Sequence, residues 1–230
     1  MFDKNATAAR LAGAAIPVPP SLPAPQSVDA LLAALRKRRF GSAYVKLNTG
    51  SSASAIAVVR AMEEPPWAIS SIVRLDGEMF STRRLRRHEG EDLAAVLAFL
   101  LREGPCVQQG IRMAQIDGQN FDVRVVVIHG QPAFTIFRLS SQPMTNLHLG
   151  GRRGDWEACR AAVPTRAWLD AMDHCAAVAA LYPCAAVGID LLFESGFFRH
   201  HVLEVNAFGD FFPGSPVHRR EIEATARRYG

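Results

Sequence analysis

Apolar residues recur along this chain at two spacings, and the spacings divide it into helices and strands. Leu31, Leu32 and Leu35 share one helical face. They follow Ser27, a residue suited to capping a helix start, and precede the basic end Arg36 to Arg39, so a helix is predicted over roughly 28–39. Leu93, Val96, Leu97 and Leu100 predict a second helix from Glu91 to Arg102, stopped by Gly104-Pro105. Thr165 to Leu181 reads as the longest helix, ended by Pro183. Strands are predicted over Ala43 to Leu47 and through Val107. Ile69 to Leu75 and Glu78 to Arg84 flank Asp76-Gly77, a dipeptide that tight hairpin turns favour, and Val123 to Ile128 with Ala133 to Leu139 form a second hairpin through His129-Gly130. Pro17 to Pro25 is a stiff connector and Asn48 to Ser54 a loop of small residues. The organisation is mixed α/β without internal repeats.

Two apolar runs near the C-terminus carry oxygen-bearing side chains. Val187-Gly188-Ile189-Asp190 and Leu203-Glu204-Val205-Asn206 read as paired strands. Strand side chains alternate, so Glu204 and Asn206 share a face while Leu203 and Val205 point into packing. With Asp190 opposite Glu204, Ser195 lies opposite Arg199, the loop is Gly196-Phe197-Phe198, and all three oxygens share one face. Two carboxylates and an amide suit magnesium, which keeps its other positions for water and substrate phosphates. The plain alternative is an edge hairpin with a solvated polar face.

Phosphate chemistry needs a cation and backbone donors. Lys46, near a strand end, followed by Asn48-Thr49-Gly50-Ser51-Ser52-Ala53-Ser54, offers both, although no Gly-Lys-Ser/Thr of a Walker loop is present. The chain has 230 residues, 49% of them hydrophobic, enough for one good core or two small ones. It lacks a run of 18 apolar residues and a signal-peptide layout, which predicts a cytoplasmic protein without a membrane partner. Cys106, Cys159, Cys175 and Cys184 show no metal or redox spacing and are expected as buried thiols. The net charge of +4 gathers visibly at Arg83, Arg84, Arg86, Arg87 and His88, which fits a solvated face, a grip on an acidic peptide or, least well, a nucleic-acid contact. His200 and His201 alternate and cannot pair as ligands, and Trp67, Trp156 and Trp168 are expected in packing.

Taken in order, these segments resemble the ATP-grasp superfamily, and within it the RimK-like carboxylate-amine ligases. Asp3-Lys4 before Leu11-Ala12-Gly13-Ala14-Ala15-Ile16-Pro17-Val18-Pro19 is similar to that family's lysine-bearing helix start and following Pro-containing strand. Val45-Lys46 with Gly50-Ser51-Ser52 resembles its second lysine strand and lid loop, and Val107-Gln108-Gln109-Gly110-Ile111 falls at its adenine-facing hinge. Asp122-Val123-Arg124, Arg138 and Thr145-Asn146-Leu147-His148-Leu149-Gly150-Gly151 are similar to its substrate- and triphosphate-facing block, and Asp190, Glu204 and Asn206 fall on its magnesium ligands.

The resemblance implies an ATP-grasp fold in which two subdomains of mainly antiparallel sheet, with helices, clasp ATP. Its parts would be an N-terminal helical and Pro-rich segment, 1–42, a central lid subdomain, 43–110, and a C-terminal subdomain with the metal site, 111–230. It implies ATP and magnesium as cofactors, with manganese able to substitute. Lys4, Lys46, Gly50, Ser51, Ser52, Gln108, Gln109, Gly110, Ile111, Asp122 and Asn146 would hold the nucleotide, and Arg124, Arg138 and Lys46 would serve catalysis. The implied reaction joins a carboxylate to an amine through an acyl phosphate. Arg124 reads alternatively as an ion-pair partner of Asp122 or another acid, and His148 as a loop donor or proton carrier. Two departures stand out: Ser54 replaces a second lid glycine, and such ligases usually carry a further α/β domain before the position of Lys4, so either a separate polypeptide supplies it or the protein works with the two ATP-binding subdomains alone. A kinase of a small hydroxylated molecule and a non-catalytic nucleotide-binding subunit are the competing readings.

Overall fold

A computed structural model describes residues 3–50, 55–207, 223 and 227. Helices α1 (Lys4–Gly13), α2 (Val28–Lys37), α3 (Gly90–Arg102), α4 (Trp156–Ala162) and α5 (Thr165–Ala180) pack against two antiparallel sheets. The first sheet joins β1 (Ser21–Leu22), β2 (Ala43–Leu47), β3 (Ile56–Arg60), β4 (Trp67–Leu75), β5 (Glu78–Glu89) and β6 (Pro105–Gln109) in the order β1-β6-β2-β3-β4-β5. The second joins β7 (Gln115–Ile116), β8 (Gln119–Ile128), β9 (Gln131–Ser140), β10 (Arg152–Arg153), β11 (Ala186–Phe193) and β12 (His200–Asn206). Its order is β10-β9-β8-β11-β12, with β7 on β8.

Strand alternation gives each sheet a helix-facing side and a side turned to the other sheet. Ala43, Val45, Ala57, Val59 and Val107 pack under Leu31, Leu35, Leu97 and Leu100 in one core. Phe121, Val123, Val125, Ile189, Leu191 and Val205 pack under Leu11, Trp168, Ala171, Cys175 and Val178 in the other. The intervening residues Tyr44, Lys46, Asp122, Asp190 and Leu192 line the cleft between the sheets. A small apolar cluster of Ile56, Val58, Met144 and Leu149, with Tyr44, Ile69 and Leu85 against it, closes one side.

The N-terminal segment 1–42, expected as a part of its own, divides between the cores: Leu11 and Ile16 enter one, Leu22, Leu31, Leu35 and Phe40 the other. Ile16 to Pro19, expected as a strand, has no regular structure. Proline has no N–H for a ladder, and only the carbonyls are used: Pro17 accepts from Val202 of β12 at 2.8 Å and Pro20 from Gln109 of β6 at 2.7 Å. The strap thus ties β12, the edge of one sheet, to β6, second from the edge of the other.

Both hairpin turns carry left-handed pairs, Asp76-Gly77 and His129-Gly130, as a tight hairpin of this twist requires. Asp190 pairs with Glu204, but the register slips at the next position, where Leu191 faces Val202. The amide of Glu194 then donates to the carbonyl of Arg199 at 2.9 Å. The loop is therefore the four residues Ser195 to Phe198, not three. The extra residue, Leu203, faces the cleft beside Glu204 instead of packing away. Two further expectations fail: Cys184 is exposed, and Trp156 is 51% exposed with its indole donating to Thr135 Oγ1. The Arg83 to Arg87 stretch lies exposed on the edge strand β5, with His88 buried. His200 and His201 point apart, the first to His174, the second to Glu194. Among the described residues no helix is long and apolar enough to cross a membrane.

Candidate active site

The cleft collects side chains from two neighbouring rows on one face of four strands. Asp122 of β8 lies opposite Arg138 of β9, Arg124 of β8 opposite Asp190 of β11, and Asp190 opposite Glu204 of β12. Arg138 Nε donates to Asp122 Oδ1 at 2.8 Å and its Nη2 to Asp122 Oδ2; Nη2 also lies 3.1 Å from Asp190 Oδ1. Arg124 grips Asp190 in two places, Nε on Oδ1 and Nη2 on Oδ2 at 2.9 Å. All four residues are buried. Burial alone would raise the Asp190 carboxyl, but Arg138 and Arg124 outweigh it and hold it below the usual carboxylate range. The same carboxylates, against the effect of burial, hold Arg138 firmly protonated.

Two lysines face this row. Asp3 caps α1, its carboxylate accepting from Ala6 N at 2.7 Å, and Lys4 begins the helix. The Lys4 amide donates to Asn48 O at 3.1 Å, which stitches the helix start to the loop after β2. Lys4 Nζ donates to Gly50 O and lies 3.2 Å from Glu204 Oε1. Lys46, on β2, lines the same cavity with no hydrogen bond or ion pair to any described residue, and burial lowers its pKa. Ser51, Ser52 and Ser54 lie outside the described residues.

At the other end of the cleft Gln108, Gln109, Ile111, Met113, Leu192 and Leu203 make a more apolar wall. Gly110 does not line it. The Gly110 amide donates to Ser42 O at 2.7 Å, and a Cβ there would stand 2.0 Å from Ser42 Oγ, so the glycine is explained by close packing. Asn146 lines the cleft while capping the turn Leu147–Leu149, its Oδ1 accepting from His148 N at 2.8 Å. The His148 side chain is exposed and outside the cavity lining. Tyr44, two residues before Lys46 on the same face, donates its hydroxyl to Pro143 O at 2.5 Å and links the two sheets. Tyr44 and Leu192 went unread as site residues, although alternation from Lys46 and Asp190 pointed to both. Leu203 had no such signal, because the bulge that turns it is invisible in the sequence.

The carboxylates fit a hard divalent cation. Asp190 and Glu204 are register partners, and Asn206 sits two residues on with its Nδ2 buried and without a described partner. Asn206 does not line the cavity. Among the described residues no three His, Cys, Asp or Glu side chains form a metal-holding group. An oxygen-only set with few protein ligands suits magnesium better than zinc. The cavity holds about 130 Å³. Nucleotide-sized ligands usually occupy roughly 300–1,000 Å³, so the surrounding chain must part to admit one.

No family model matches the sequence, and no curated protein matches it. Solved structures do. The ATP-grasp ligase PsnB in complex with a minimal precursor matches at TM-score 0.56 and 19% identity, over 98% of this chain and 60% of that one. D-alanine–D-alanine ligase from Bacillus anthracis complexed with ATP gives 0.52 and 14%, over 98% and 60%. D-cycloserine synthetase DcsG gives 0.60 and 18%, over 99% and 70%. At these identities the likeness establishes the fold, which is that of the ATP-grasp ligases. The chain spans about 60% of the length of PsnB.

Proposed function

We propose that the chain is an ATP-dependent ligase of the RimK-like type that joins a carboxylate to an amine. Lys46 carries the reading: an ammonium turned into a cavity without an ion pair among the described residues is a cost to the empty protein that an anion removes. Lys46 and Lys4 would meet the nucleotide phosphates, with Gly50, Ser51, Ser52, Asp122 and Asn146 around them and Gln108 to Ile111 at the base. Asp190, Glu204 and Asn206 would hold magnesium or manganese, which neutralises charge on the transferring phosphoryl group when bound.

The chemistry then follows from charge. A substrate carboxylate attacks the γ-phosphorus, the bond to the β–γ bridging oxygen breaks, and ADP leaves an acyl phosphate; an amine next displaces inorganic phosphate. Arg124 and Arg138 suit the carboxylate and the acyl phosphate, since a guanidinium fork grips either in two places. PsnB is described with a precursor, and a ligase from Chryseobacterium gregarium with a leader and core peptide, which favours a peptide as the substrate class here. The exposed arginines of β5 would favour an acidic one. A cytoplasmic setting is part of the same reading.

The test traps the intermediate. The protein is incubated with magnesium, ATP, an acidic peptide pool and hydroxylamine, and hydroxamate and ADP are measured. Carboxylate-dependent hydroxamate supports the ligase. A stable phosphate ester instead would show a kinase, and nucleotide binding without ADP under any condition would show a non-catalytic subunit.

A further inference from the structure

A second cavity adjoins the cleft, and its charges are of one sign. It holds about 390 Å³ and shares Tyr44, Ile111, Met113 and Pro143 with the cleft. Arg60, at the end of β3, and Arg112, after β6, both line it, and no acidic residue does. Neither arginine has an ion pair among the described residues. Arg60 Nη1 donates a long bond of 3.4 Å to Gly41 O, and its Cζ lies 5.9 Å from the Trp67 ring centre. Arg112 is exposed, its carbonyl accepting from Ser195 N at 2.8 Å and its side chain without a partner among the described residues. Burial raises the Tyr44 pKa and the Arg60 charge works against that rise, so the charge is felt at the wall the two cavities share.

We propose that this second cavity is a carboxylate-binding site: Arg60 and Arg112 take one carboxylate head, and Ile111, Met113 and Pro143 pack on the methylene stem that carries it. A guanidinium grips a carboxylate in two places, and two guanidiniums facing one space repel each other until an anion enters. Pockets of this kind are mostly apolar, with a few polar groups that fix orientation. The apolar walls therefore favour a carboxylate on a short stem, as in glutarate or a glutamate side chain, over a bare inorganic anion. Arg60 belongs to the first sheet, and Asn120, also on the lining, belongs to β8 of the second, so an occupant touches both sheets. The site needs no nucleotide and does not depend on the ligase reading. For an acidic peptide it would be an anchor outside the cleft, held by a side chain other than the one that reacts.

Calorimetric titration of the full chain tests the site. Glutarate is the probe, glutaramide its uncharged control, and an oligoglutamate peptide separates a free acid from a peptide side chain. Glutarate should bind and glutaramide should not. Arg60→Gln and Arg112→Gln should each weaken glutarate by about tenfold or more, the usual loss of a hydrogen bond to a charged group. Arg86→Gln, on the exposed edge strand β5, and Lys46→Met, in the cleft, should leave it unchanged. Arg112 is exposed, so Arg112→Gln keeps the test decisive should Arg60→Gln fail to fold. Oligoglutamate that binds more tightly than glutarate, and equally through both arginines, supports the site with a peptide as its source; binding no tighter supports it with a free acid. The site is overturned by glutarate binding that survives both arginine substitutions, by an equal loss in Arg86→Gln or Lys46→Met, and by no binding to the wild type.

Discussion

Replacing Lys46 by methionine should make the empty protein more stable and the nucleotide site useless. Methionine matches the length of the lysine stem, so the shape of the cavity lining is nearly kept. What disappears is an ammonium that lines the cavity without a hydrogen bond or ion pair among the described residues. An unsatisfied buried polar group costs roughly 1–3 kcal/mol. Lys46 retains some exposure and has Glu204 and Asp190 in its field, so a gain of about 1 kcal/mol is the reasonable expectation. For a chain of this size that raises the melting temperature by roughly 2–4 °C. The pH dependence has a definite sign. Burial lowers the folded-state pKa of Lys46 below its ordinary value of 10.5, so the unfolded chain binds the proton more tightly. Wild-type stability therefore rises with pH between the two values, and the advantage of Lys46→Met shrinks as the pH climbs from neutrality towards 10.5. Saturating Mg-ATP reverses the ranking: at about 100 times its dissociation constant it should stabilise the wild type by roughly 2.7 kcal/mol and leave the variant unmoved. Differential scanning calorimetry with and without Mg-ATP, at two pH values, reads all of this. A variant less stable than the wild type when empty, or one that keeps the full Mg-ATP shift, would refute the reasoning.

Other substitutions probe the same cleft. Asp190→Ala takes from Arg124 a two-point ion pair and from Arg138 one of its two carboxylates, so urea unfolding should show a loss of about 3–5 kcal/mol. Because arginines depress the Asp190 pKa, its contribution is complete above the unfolded value of 3.8 and fades as the pH falls through the lower folded value; the variant's acid transition should be flatter there. Gly151→Ala places a Cβ 2.1 Å from Thr145 O, backbone that must shift, so a loss of about 1–3 kcal/mol and weaker Mg-ATP binding through the displaced Asn146 are expected by the same unfolding and calorimetric measurements.

The parts of the fold legible in the sequence were those fixed by local rules. Val123, Val125 and Val127 alternate with Asp122 and Arg124, and that period alone separates helix-facing from cleft-facing positions on β8. Asp76-Gly77 and His129-Gly130 fix their turns because few residues adopt left-handed backbone. Pairing across distance was harder to read. Asp122 and Arg124 looked like natural partners two residues apart, yet strand geometry leaves Arg124 to an acid 66 residues away on β11, and Asp122 to Arg138 on β9. The bulge after Asp190 was likewise hidden. Past the bulge Val202 turns into the helix-side core and Leu203 into the cleft, an exchange of one apolar residue for another that the apolar pattern cannot distinguish from unbroken pairing.

The proline strap sets the mechanics of the cleft. Anchored on β12 through Pro17 and on β6 through Pro20, it acts as the spine of a book whose covers are the two sheets. Covers bound at the spine open furthest at the fore-edge, which here is β5 on one sheet and β10 on the other. Two clasps stand in the way: the apolar contact that Leu85 makes with the Met144 and Leu149 cluster, and the Tyr44 hydroxyl on Pro143. A ligand that parts the sheets at this edge must undo both, so its passage depends on Tyr44, Pro143 and Met144, which line the cavity, as well as on Leu85 outside it.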